Sequence, residues 1–107
     1  MKTPYLFVYV TFETPEQARE ICSLLVHDRL AACANIFPSH ETLYWWNEEL
    51  VSSKETAAIF KTTQGHFNNL KEKILKHHTY DCPCIVALPI QEGHEPFLSW
   101  IKQETAG

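Results

Sequence analysis

Two imidazoles and two thiols stand within eight residues, His77-His78-Thr79-Tyr80-Asp81-Cys82-Pro83-Cys84. Imidazole and thiolate ligands suit Cu(I), Cu(II) or Zn(II) better than Mg(II) or Ca(II). His77, His78, Cys82 and Cys84 are therefore candidate ligands for copper or another divalent transition metal. Cys82 and Cys84 are two apart, so extended backbone points them to one side. Adjacent His77 and His78 diverge by about 100° on a helix and converge only if the helix ends there. The same residues also admit structural roles, with His78 and Tyr80 lining a pocket and the cysteines filling small apolar spaces. Reversible thiol oxidation is a third reading. A second candidate set is Glu55, Lys61 and Tyr80. Glu55 and Lys61 are separated by an even number of residues, so they share one strand face. That face is either solvated or lines a ligand pocket between subunits together with a Trp from a neighbouring hairpin.

These residues need elements to hold them. Tyr5–Phe12 is aromatic or β-branched at nearly every position and reads as a central strand covered on both faces. Thr14, Pro15 and Gln17 form a helix start with a capping box. The helix runs to about His27, with Ala18, Ile21, Leu24 and Leu25 inward. Leu30–Phe37 reads as a second strand, with Cys33 in the core, and Pro38 interrupts it. Leu43–Trp46 and Leu50–Thr62 form a hairpin around a turn at Asn47-Glu48-Glu49. A helix beginning at Thr62 or Thr63 carries Phe67, Leu70 and Ile74. Cys84–Ile90 reads as an edge strand because Pro89 lacks an N–H. Pro96 opens a last helix with Phe97, Trp100 and Ile101 inward.

The order β-α-β-β-α-β-α predicts an α+β, ferredoxin-like domain over residues 1–107, with an extra C-terminal helix. Hairpin arms of roughly 13 residues reach about 40 Å, so the tip bearing Tyr44, Trp45 and Trp46 projects beyond a body of this size. Adjacent Trp side chains point to opposite strand faces. A large exposed apolar surface marks an interface, and an oligomer built through Tyr44, Trp45 and Trp46 follows.

Composition narrows the function. Hydrophobic residues make up 45% and charged residues 21%, with a net charge of −4 and no basic cluster. A nucleic-acid partner needs a basic face and is excluded on that ground. The longest apolar runs are far too short to cross a bilayer, so no membrane partner is expected. No cleavable leader pattern opens the chain, and the expected compartment is the cytoplasm. There the four cysteines are thiols or metal ligands, not disulfides. Glycine occurs only at 65, 93 and 107, so there is no phosphate loop. Nothing in the spacing supplies a catalytic triad, and the chain reads as a binding module, not an enzyme.

Spaced motifs in order resemble one family: Leu30-Ala31-Ala32-Cys33-Ala34-Asn35, Tyr44-Trp45-Trp46, Glu55 with Lys61-Thr62, His78-Thr79-Tyr80-Asp81-Cys82-Pro83, and Leu98-Ser99-Trp100-Ile101. Together they are similar to CutA, the divalent-cation tolerance proteins, over nearly the whole chain. The resemblance implies a ferredoxin-like fold, an intertwined PII-like homotrimer, and a cytoplasmic role in tolerance of copper and other divalent ions. It brings no enzymatic reaction. By analogy with PII proteins, a scaffold binding a small anion between subunits is the alternative, and an enzyme using Glu55, Lys61 and Tyr80 a further one. Three positions depart from the family pattern. Glu48 stands where a tip Gly is common, Val10 where some members have a Cys, and Cys84 where Glu often follows the Pro.

Overall fold

β1 (Tyr5–Phe12) places Leu6, Val8 and Val10 on one face and Phe7 and Tyr9 on the other. The structure, a computed structural model, describes residues 5–106; residues 1–4 and 107, the ends of the expected domain, lie outside the described residues. The first face of β1 is fully buried. The second is only half covered, which corrects the expectation of a strand buried on both sides.

α1 (Pro15–His27) starts as its sequence dictates. Gln17 N–H donates to Thr14 Oγ1 at 3.1 Å, and Glu13 N–H donates back to Gln17 Oε1 at 3.2 Å. It ends in a left-handed turn at Arg29 (φ 60°), with Leu30 N–H donating to the Leu25 carbonyl and Arg29 N–H to that of Val26. This is a Schellman closure. It consumes residues 28–32, so β2 (Cys33–Ile36) is shorter than the expected Leu30–Phe37 strand.

β3 (His40–Trp46) resumes after Pro38 and pairs with β4 (Glu49–Thr63), a 15-residue strand. β4 extends to Thr63 because Thr63 pairs with Tyr5. The next helix therefore begins later than expected, through a short 3₁₀ turn into α2 (Phe67–His77). β5 (Ile85–Pro89) sits at the sheet edge against β1. The strand order β2-β4-β1-β5 is antiparallel at each pairing, and β3 continues the β4 ladder outward.

One core lies between this sheet and the first two helices. Leu6, Val8, Val10, Phe12, Ala58 and Phe60 pack against Ile21 and Leu25 of α1 and Leu70 and Ile74 of α2. Cys22 belongs to this core, and burial pushes its thiol up to about 12. Cys33, expected in the core, is half-buried and opposite Lys61 on the other face. α3 (Glu95–Glu104) buries Leu98 and Ile101 outside that cluster. Phe97 and Trp100, expected inward, stack on each other at 5.6 Å and stay partly exposed. Leu98 and Ile101 occupy one helical stripe and Phe97 and Trp100 the adjacent one.

The hairpin projects, and the described chain is 44 Å long against 25 and 23 Å across. Only seven residue pairs form the projecting arm, from His40–Glu55 to Trp46–Glu49. At about 3.3 Å per residue that is roughly 23 Å, shorter than expected because Pro38 separates β2 from β3. The tip is a two-residue turn in which Asn47 and Glu48 both have positive φ, 51° and 66°, the type I′ geometry that matches strand twist.

Candidate functional site

The sheet face away from α1 and α2 carries a cleft of about 470 Å³ where the hairpin meets the segment after α2. Three chain regions build it. Thr11 and Glu13 come from the end of β1 and the turn that follows. Thr42, Tyr44, Trp46 and Glu55 come from the cleft-facing side of the β3–β4 hairpin. Thr79 to Cys82 and Cys84 close the rim. Its volume fits a small ligand.

His78 holds the rim to the sheet. α2 ends at His77, and His78 N–H caps the Ile74 carbonyl at 2.8 Å. The chain then turns extended, and the His78 ring stacks on Phe12 at 5.3 Å. Nε2 donates to the Thr11 carbonyl at 2.8 Å, and Nδ1 accepts from Tyr80 N–H at 3.1 Å. The carbonyl can only accept and the amide can only donate, which fixes the Nε2–H tautomer. Both ring nitrogens are occupied by the fold. Thr79 adds a second tie, donating to Glu13 Oε1 and accepting from Gln17 Nε2. The α1 cap thus reaches the rim directly.

Glu55 is 9% exposed, and its Oε2 accepts the Tyr80 hydroxyl at 2.8 Å. Burial, then the Glu55 hydrogen bond and charge, hold the Tyr80 hydroxyl well above the usual tyrosine range. Partial enclosure, then the Glu55 charge, push the Cys84 thiol up as well. Tyr9 is raised by burial, then by Cys84 and Glu55. The lining carries three carboxylates, Glu13, Glu55 and Asp81, and no Lys, Arg or His.

The structure brings Glu55, Tyr80, Cys82, Cys84, Tyr44 and Trp46 to one cleft. His77 stays exposed at the end of α2, and His78 is engaged beneath the rim. Lys61 shares the face with Glu55 but lies six residues along β4, about 20 Å away. Its Nζ donates to Asn35 Oδ1 and sits 5.4 Å above the Phe7 ring. Val10 is buried against the helices and takes no part. Trp45 faces away from the cleft, with Leu43 and Leu50 beside it on the outer hairpin face, 65%, 72% and 64% exposed for Leu43, Trp45 and Leu50. Thr11, Glu13 and Thr42 join the cleft only through the fold, whereas Thr79 and Asp81 stand within the His77–Cys84 stretch.

Among the described residues no group of three or more His, Cys, Asp or Glu side chains could hold a metal ion. One chain therefore offers the two thiols of Cys82 and Cys84 at the cleft and not a closed coordination shell.

A family model, the CutA1 divalent ion tolerance protein, matches residues 6–104. The chain belongs to the CutA1 family. It is 43% identical over 98 residues to the divalent-cation tolerance protein CutA of Thermus thermophilus, covering 92% of this chain and 95% of that one. A chloroplastic CutA 1 of Oryza sativa is 35% identical over 102 residues, 95% of this chain but 58% of the longer relative. Among solved structures, the Cut A1 of Thermus thermophilus superposes with a TM-score of 0.93 at 41% identity, covering 95% and 99% of the two chains. A protein described as periplasmic CutA from Archaeoglobus fulgidus gives 0.91 at 35%, covering 94% and 98%. No helix among the described residues is long and apolar enough to cross a membrane.

Proposed function

We propose that this CutA1-family chain acts in divalent-cation tolerance, copper foremost, by binding transition metal and not by catalysis. It works as a homotrimer in which each subunit is ferredoxin-like and the assembly PII-like. The metal sits at a subunit junction, where Cys82 and Cys84 supply thiols and a neighbouring copy completes the shell. The compartment is the cytoplasm, where the four unpaired thiols stay reduced.

The observation that carries this reading is the cleft itself, acidic and thiol-lined on a sheet face that one chain leaves half covered. Its negative lining favours a cation, and its soft donors favour copper or zinc over magnesium or calcium. A small anion meets no basic side chain there. An enzyme built on Glu55, Lys61 and Tyr80 lacks Lys61 in the cleft. The outer apolar face of Leu43, Trp45 and Leu50 supports self-association.

Anaerobic calorimetric titration with Cu(I), Cu(II) and Zn(II) tests the reading. Binding is expected to be lost in Cys82→Ser/Cys84→Ser and kept in His77→Ala. The absence of binding to the unaltered protein, or full binding by the double serine variant, contradicts it.

A further inference from the structure

Glu55 is a buried carboxylate without a counter-charge. It is 9% exposed, its hydrogen-bond partner is the neutral Tyr80 hydroxyl, and none of the ion pairs among the described residues includes it. A buried charge without a partner is costly, and a cation in the cleft offsets that cost. Metal geometry alone does not describe this cavity, because three aromatic rings, Tyr44, Trp46 and Tyr80, line it together with Glu13, Glu55 and Asp81. Aromatic faces attract cations, and they do so most strongly for poorly hydrated ones such as quaternary ammonium groups. The cleft volume of about 470 Å³ accommodates such a group with its methyl substituents.

We propose that the cleft is a binding site for small organic ammonium compounds, held by the Tyr44, Trp46 and Tyr80 rings with the Glu55 carboxylate as counter-charge. The site goes beyond the metal reading and is independent of it. The rings and Glu55 hold the ammonium, whereas the thiols hold the metal. The two readings therefore fail separately.

The test uses the full chain in excess chelator, with choline as the probe and 3,3-dimethylbutan-1-ol as its neutral isostere. Binding is followed by the upfield shift of the choline methyl protons, a signature of aromatic faces. Saturable choline binding is expected, with no comparable binding of the alcohol. Glu55→Gln and Trp46→Leu each weaken it by about tenfold, while Cys82→Ser/Cys84→Ser leaves it in place. Trp46 is half-exposed near the hairpin tip, so its variant keeps the fold even if Glu55→Gln does not. Equal binding of the alcohol, absence of saturable choline binding, or full affinity in folded Trp46→Leu overturns the proposal.

Discussion

His78 shows how one side chain can be read two ways until its partners are known. Its type and its place beside His77 fit a metal ligand. Its partners, the Thr11 carbonyl and the Tyr80 amide, instead make it a brace between the end of β1 and the cleft rim. The Thr11 carbonyl cannot be inferred from spacing, because it is 67 residues away in sequence. Cys82 and Cys84 stand two apart in sequence, so their shared place at the cleft required no distant partner. Glu55 was legible as a strand-face residue, but its bond to Tyr80 was not. A consequence follows for stability. His78→Leu leaves a carbonyl and an amide without partners, at a cost of about 2–3 kcal/mol. His77→Ala, at an exposed helix end, costs well under 1 kcal/mol. Urea unfolding of the two variants measures the difference, and equal effects rule out the brace.

At the scale of elements, the hairpin governs the site. Its alternation sends Tyr44 and Trp46 into the cleft and Leu43 and Trp45 outward, a division that period two made readable from sequence. The strand lengths were less readable. Helix closure at Arg29 shortened β2, and pairing with Tyr5 lengthened β4; both depend on contacts the local pattern does not carry. The tip turn places Glu48 at φ 66°, a conformation that costs a side-chain-bearing residue about 1 kcal/mol and glycine nothing. Glu48→Gly is therefore expected to stabilise the protein by about 1 kcal/mol, seen as a rise in thermal midpoint. A fall would mean that the glutamate side chain makes a contact worth more than the strain.

At the scale of the molecule, the antiparallel α+β fold buries one sheet face under two helices and leaves the other half covered. The order of elements and the motif spacing foretold this fold and its family, while the cleft needed coordinates. Leu43, Trp45 and Leu50 form the exposed outer face of the hairpin. Trp45→Asp places a charge there and is expected to shift the proposed homotrimer toward monomer in sedimentation equilibrium. An unchanged mass would place the contact elsewhere.

On the proposed reading, metal is taken at the thiols of the cleft and not at the paired histidines. X-ray absorption at the zinc edge, on anaerobically zinc-loaded protein, tests it most directly. Sulfur scatterers at about 2.3 Å are expected. A shell of nitrogen and oxygen alone, at about 2.0–2.1 Å, contradicts it.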